Sequence, residues 1–223
     1  MTDAQNALPH PTRPNWTWLL GRFLLQIAFT VWFRFRVRGL HYLPESGGGL
    51  VLSNHQSHLD PLLLQIALHR PIGFLARDNL FRVPFVGWVL RRHYVLGINR
   101  ESVAASVIRE SVRRMQHGFL LGIFPEGTRT QDGSVGEFKP GFVAIVRRAK
   151  LPIYPVGVAG AFEALPRGTW FPRPRRVRIV YGEPLTYAEL EPLCQRGRER
   201  ELVELVRDRV TECRREAEAW RLG

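Results

Sequence analysis

Gly49-Leu50-Val51-Leu52-Ser53-Asn54-His55-Gln56-Ser57-His58-Leu59-Asp60-Pro61 holds the pattern from which the fold follows. A short apolar run ends at Ser53, a polar turn follows, and Asp60-Pro61 opens a second apolar stretch. The first run reads as a buried strand. Asp as N-cap and Pro in the first helical position mark a helix start. The unit is therefore strand–turn–helix, and the same alternation recurs along the chain. Strands are predicted over 49–53, 72–76, 93–96, 120–124, 153–158 and 177–181, and helices over 61–69, 84–91, 101–117, 140–148 and 199–220. Such alternation predicts an α/β fold: one domain with a largely parallel central sheet flanked by helices. Sites in that architecture sit at the carboxyl ends of strands.

The first turn carries acid–base potential. His55 and Asp60 stand five residues apart, so a regular helix or strand would point them in different directions, whereas a turn lets them meet. A carboxylate has about four lone-pair sites, so Asp60 can cap the helix and still accept an imidazole N–H. A histidine oriented in this way is a competent general base. His58 lies in the same turn and is an equal candidate on spacing alone; Asp60 taken by itself is only a cap.

A second polar turn, Phe124-Pro125-Glu126-Gly127-Thr128-Arg129-Thr130, follows the apolar run 120–124. A glycine in a loop lets backbone N–H groups approach an anion, and an adjacent arginine offers a planar fork suited to phosphate. The plain alternative is an ordinary turn with a Glu–Arg pair. Leu96-Gly97-Ile98-Asn99-Arg100 ends another strand and brings Arg100 toward the same cleft. Leu151-Pro152-Ile153-Tyr154-Pro155-Val156 is chemically mute and reads as a strand with a bent entry.

The 223 residues are 45% hydrophobic, enough for a packed core in one domain. The net charge of +12 favours polyanions: nucleic acid, an anionic membrane or phosphorylated small molecules. The two cysteines, Cys194 and Cys213, have neither zinc-type spacing nor a disulfide framework, which fits a reducing, cytosolic setting. Residues 1–15 are polar, carry Pro9, Pro11 and Pro14, and read as a flexible leader. Residues 16–33, WTWLLGRFLLQIAFTVWF, are apolar except for one narrow stripe of Asn15, Arg22, Gln26 and Thr30 at helical spacing. The segment has no signal-peptide flanks and is too short and polar for a comfortable span. It suits a helix lying in a membrane interface, with a core-capping helix as the other reading. Trp16, Trp18 and Trp32 at its two ends favour the interface. In the following run Arg34, Arg36 and Arg38 alternate with apolar residues. This predicts a strand whose basic face meets anionic headgroups, at about 1 kcal/mol per arginine, or simply solvent.

Four blocks resemble the glycerophosphate and lysophosphatidate acyltransferase family, in order. They are Asn54-His55-Gln56-Ser57-His58-Leu59-Asp60, Gly97-Ile98-Asn99-Arg100, Phe124-Pro125-Glu126-Gly127-Thr128-Arg129 and Leu151-Pro152-Ile153-Tyr154-Pro155-Val156. The likeness covers about residues 37–185. It implies that His55 is the base, in preference to His58, and Asp60 its partner. It also implies that Arg100, Glu126, Gly127, Thr128 and Arg129 bind the glycerol-phosphate of the acceptor. The family often has an acidic residue where this chain has Asn99, so the second block matches most loosely.

The implied reaction moves a fatty acyl group from acyl-CoA or acyl-carrier protein to the free hydroxyl of lysophosphatidate. No Gly-x-Ser-x-Gly nucleophile elbow is present. No metal and no bound cofactor is implied. The resulting layout is a leader over 1–15, a membrane-associating helix and basic edge over 16–36, and the acyltransferase domain over 37–223. The enzyme is expected on the cytoplasmic face of a membrane, with an anionic surface as partner. Competing readings are the same chemistry on another lysolipid, such as a lyso-ornithine lipid, and a nucleic-acid-binding module. The latter draws on Arg167, Arg173, Arg175, Arg176 and Arg178 interleaved with Trp170 and Phe171, but no nucleic-acid motif accompanies them. That segment is assigned instead to headgroups or to the phosphates of the acyl donor, and no nucleic acid is expected.

Overall fold

Apolar runs bounded by turns become strands, and the periodic segments between them cover both faces. A computed structural model describes residues 8–77, 81–92, 94–98 and 104–223. In chain order its elements are α1 (Trp16–Trp32), β1 (Arg36–Arg38), β2 (Gly49–Ser53), α2 (Asp60–Ile66), β3 (Ile72–Arg77), α3 (Pro84–Arg92), β4 (Leu96–Ile98), α4 (Ala104–Gln116), β5 (Leu120–Ile123), α5 (Val143–Ala149), β6 (Ile153–Ala159), α6 (Ala161–Ala164), β7 (Arg178–Tyr181), α7 (Tyr187–Leu190) and α8 (Glu199–Leu222). The strands form one sheet in the order β1-β7-β6-β2-β5-β3-β4. From β6 to β4 every pairing is parallel, as the alternation of elements predicts. At the other edge β7 runs antiparallel to β6, and β1 runs parallel to β7.

Strand periodicity divides the core in two. Val51 of β2 faces one layer with Leu63, Leu64 and Ile66 of α2. Its neighbours Leu50 and Leu52 face the other, with Val143, Ile145 and Val146 of α5 and Leu202, Val206 and Val210 of α8. Each such side chain, fully buried, contributes about 1.5–3 kcal/mol. The layer on α8 demands close approach. A Cβ on Gly157 of β6 would lie 2.1 Å from the Arg214 nitrogen and 2.2 Å from the Cys213 carbonyl carbon. Only a residue without a side chain lets α8 lie on the strand.

The N-terminal segment is a helix, as predicted, but the helix shares the domain's core. Trp18 and Phe29 of α1 are buried, and Phe29, Phe33 and Phe35 join the layer that holds α2. The strand expected from Phe33 begins only at Arg36. Phe33 ends α1, its N–H bonded to the Phe29 carbonyl, and Arg34 turns the chain in a left-handed conformation (φ 45°). The polar stripe flanks the buried side. Opposite it, Trp16, Leu19, Leu20, Phe23, Leu24, Ile27 and Val31 are exposed. Among the described residues no helix is long and apolar enough to cross a membrane.

Register fixes which features share an end of the sheet. Ser53 closes β2 opposite Val156 of β6, and three residues further Ala159 pairs with Arg178, the first residue of β7. Arg178 in turn pairs with Arg36, the first of β1. Because β7 and β1 run backwards, their starts lie at the end where β2, β5 and β6 finish. Replacing Gly157 by Ala is expected to destabilise the fold by about 1–3 kcal/mol through overpacking against α8. The urea midpoint should fall with little change in slope.

Candidate active site

The turn after β2 is tied down residue by residue. Asn54 continues the ladder with its side chain, its Nδ2 donating to the Val158 carbonyl (3.0 Å) and its Oδ1 accepting from the Val158 N–H (2.8 Å). Gln56 Nε2 donates to the Gly133 carbonyl at 3.0 Å, and the Ser57 hydroxyl donates to the Leu165 carbonyl at 3.0 Å. Asp60, wholly buried, holds the centre. Its Oδ2 accepts from the Gln56 N–H (2.6 Å), the Ser57 N–H (2.7 Å) and His55 Nδ1 (2.8 Å).

This corrects the expected cap. Asp60 is the first residue of α2, the cap position falls on Leu59, and no side chain caps the helix. The carboxylate turns back to the preceding loop because three converging N–H donors outbid the helix end. Burial pushes the Asp60 carboxyl above the usual carboxylate range, with the bond from His55 pulling the other way. Its Oδ1 is buried without a hydrogen-bond partner among the described residues.

With Nδ1 committed to Asp60, His55 keeps Nε2 for other partners. The ring lies flat on Phe124, centroids 4.1 Å apart and planes 17° from parallel, and Phe74 stacks on Phe124 in turn. His58, the rival base, is exposed. Partial burial, then Arg129, holds its imidazole below the ordinary value, with Asp60 opposing.

The turn after β5 meets the first turn through the backbone of His55. Glu126 Oε1 accepts the His55 N–H at 2.9 Å, and the Thr130 N–H donates to the His55 carbonyl at 2.8 Å. Glu126 is buried, which raises its carboxyl, while the backbone N–H groups of His55 and Gly136 lower it. The resemblance put Glu126 on the acceptor; in the structure its Oε1 bonds the loop that carries His55. Gly127 takes a left-handed conformation (φ 70°), and its N–H closes the turn onto the Phe124 carbonyl at 3.1 Å. Thr128 is exposed. Arg129 is half-buried and has no carboxylate partner among the described residues; burial and then Arg167 depress its pKa, and Asp60 opposes. Arg100 lies outside the described residues.

Two further cations stand at this mouth: Arg167, which the sequence analysis gave to headgroups or donor phosphates, and Lys139, which it did not assign. Arg167 comes close enough to Arg129 to perturb it, and the Lys139 ammonium lies over Gly127, 3.1 Å from where a Cβ would stand. Lys139 had a signal in Phe138-Lys139-Pro140-Gly141, just past the second turn. Arg167 had only its place in an arginine-rich segment. The buried Cys213 thiol, pushed up to about 12 by burial, is no nucleophile here.

A histidine aligned by a buried carboxylate, beside an arginine that lacks a counter-ion among the described residues, can deprotonate a hydroxyl on a molecule that also carries phosphate. The sequence profile of the family described as Acyltransferase matches residues 34–159, more than half of the chain. The chain belongs to the Acyltransferase family. Among its relatives is the chloroplastic 1-acyl-sn-glycerol-3-phosphate acyltransferase LPAT1 of Arabidopsis thaliana, 26% identical over 84% of this chain and 54% of that protein. Another is the 1-acyl-sn-glycerol-3-phosphate acyltransferase of Pseudomonas aeruginosa, 30% identical over 76% of this chain and 69% of that one. The crystal structure of the 1-acyl-sn-glycerophosphate acyltransferase PlsC from Thermotoga maritima is similar, with a TM-score of 0.72 and 27% identity over 87% of this chain and 78% of that one. The chain spans about half the length of several curated relatives it matches.

In this member of the Acyltransferase family the charge on Asp60 should cost stability. The folded-state pKa is raised above the usual 3.8, so the folded state binds more protons and stability falls as pH rises from 3.8 through the raised value. Asp60→Asn keeps an oxygen for the three N–H donors and removes that penalty. Thermal melts should show the variant gaining on the parent between pH 3 and neutrality, as about 0.5 unit steps resolve. Turnover should fall about 10²–10⁴-fold, since a neutral amide stabilises the imidazolium poorly.

Proposed function

We propose that this chain is an O-acyltransferase that moves a fatty acyl group from acyl-CoA or acyl-carrier protein onto lysophosphatidate, giving phosphatidate. The observation that carries the reading is the 2.8 Å contact of His55 Nδ1 with the buried Asp60, near Arg129, which has no carboxylate partner among the described residues. His55 Nε2 takes the proton of the acceptor hydroxyl as its oxygen attacks the thioester carbonyl. When the tetrahedral intermediate collapses, the C–S bond breaks and the thiolate leaves with the proton returned by the imidazolium. No acyl-enzyme is required. Arg129 receives the acceptor phosphate, with Gly127 keeping the loop open beside it. The relatives' names support both the reaction and the acceptor.

The acceptor and product are lipids, and the exposed apolar face of α1 suits a membrane interface on the cytoplasmic side. Trp170, 98% exposed, and Phe171, 72% exposed, add a second apolar point. Phe171 packs edge-on against Trp32, centroids 6.2 Å apart, so this point adjoins the end of α1.

Incubating the purified protein with lysophosphatidate and each thioester, then weighing the lipid product, tests the reaction. His55→Ala should abolish turnover while His58→Ala retains most of it; the reverse result rejects the assignment. Arg129→Ala should raise KM for the phosphorylated acceptor by about 10–100-fold, the loss of a charge-assisted hydrogen bond, with little change for the donor. Equal losses for both substrates would remove Arg129 from the acceptor site.

For the membrane reading, Phe23→Ser with Ile27→Ser changes only exposed residues of α1. Sedimentation with vesicles should weaken by about tenfold or more, on neutral and anionic lipid alike. Undiminished binding would leave α1 as a packing helix.

A further inference from the structure

Four arginines meet at the reversed edge of the sheet. Arg34, Arg36, Arg176 and Arg178 line a cavity of about 430 Å³ beside Thr30 of α1 and Trp220 of α8. Phe35 and Gly223 complete the lining, and among the described residues no acidic side chain joins it. Arg178 is 94% buried. Its Nη1 donates to the carbonyls of Arg34 and Val177, and its Nε has no partner among the described residues. The guanidinium stands 5.0 Å over the Trp220 ring, and that of Arg38 stands 4.0 Å over the same ring. Nearby Arg221 is neutralised by Glu163 and Glu218. Arg34, Arg36 and Arg176 pair with no carboxylate among the described residues. Burial and then the charges of Arg36, Arg176, Arg221 and Arg38 hold the Arg178 pKa down. The left-handed Arg34 aims its carbonyl at Arg178, so the backbone is bent to keep this cation in place.

We propose that this cavity binds the phosphate of an anionic lipid headgroup. Several cations gathered around a buried one, with no acidic side chain paired to them among the described residues, favour an anion that offsets their repulsion, and guanidinium forks match phosphate geometry. The lipid source follows from position. Thr30 at the rim lies on α1 between the exposed Ile27 and Val31, so the cavity opens beside an apolar face. Register puts the starts of β1 and β7 at the same end of the sheet as the His55 turn. A headgroup held there would be one molecule in the surface from which the active site draws its acceptor. The site rests on the membrane association proposed above and adds to it a localised phosphate pocket, distinct from diffuse attraction by net charge.

The test compares two double variants of the full chain that remove equal charge. Arg36→Gln with Arg176→Gln empties the rim, and both residues are exposed, so the core is untouched. Arg196→Gln with Arg200→Gln removes two exposed arginines at the opposite end of α8, about 30 Å away. Binding to phosphatidylcholine vesicles with and without phosphatidylglycerol is measured by sedimentation. The rim variant should bind anionic vesicles about thirtyfold more weakly and neutral vesicles normally. The distal variant should lose about threefold or less on either. Equal losses from the two variants, or none from the rim variant, overturn the pocket. Inorganic phosphate titrated into the protein without vesicles, if it binds as tightly as anionic vesicles do, reassigns the cavity to a soluble anion and also overturns the proposal. Parent protein that ignores both vesicle types sinks the membrane reading itself; normal binding to neutral vesicles with equal losses on anionic ones sinks the pocket alone.

Discussion

One carboxylate oxygen organises the end of the sheet that holds the candidate active site. Oδ2 of Asp60 collects the N–H groups of Gln56 and Ser57 together with the imidazole of His55. The two backbone bonds fix the shape of the turn, and the third fixes the ring relative to that shape. Position and chemistry thus have a common anchor. Its desolvation is unfavourable, and the surrounding bonds offset only part of that cost. Asp60 is therefore better explained by what it aligns than by what it stabilises.

The sheet supplies the rest. Parallel strands deliver β2 and β5 to the same end, which lets Glu126 and Thr130 of one turn bond the backbone of His55 in the other. The reversal at β7 carries Arg178, Arg36 and the close of α1 to that end as well. His55, the cations and the exposed apolar face converge through topology, although they come from segments spread along the chain from α1 to β7.

Much of this was legible in the sequence because it depends on local pattern. Runs such as 49–53 and 153–158 are apolar and bounded by turns, so strand and direction could be read together. A turn allowed His55 and Asp60 to meet, and the resemblance, not the spacing, singled out His55 over His58. What escaped depends on contacts made after folding. The reversed direction of β7 leaves no periodic trace, since all four of its residues are buried. The bond from Glu126 to the His55 backbone could not be foreseen, because a buried and an exposed carboxylate look alike in a motif. The cap on α2 was misread for a related reason: local spacing offered Asp60 to the helix, and the donors that claimed it lay behind. In α1 the polar stripe was visible, but which greasy side faced the protein was decided by Trp18 and Phe29 meeting the core.

The flat stacking of His55 on Phe124 has a kinetic meaning. A surface histidine samples several rotamers and must find the reactive one in each cycle. Here the search ended when the chain folded: one nitrogen is tethered, and one ring face is covered by an aromatic that is itself backed by Phe74. In the proposed reaction the ordering of the base is thus removed from the activation entropy, and what remains to be ordered in each turnover is the pair of substrates.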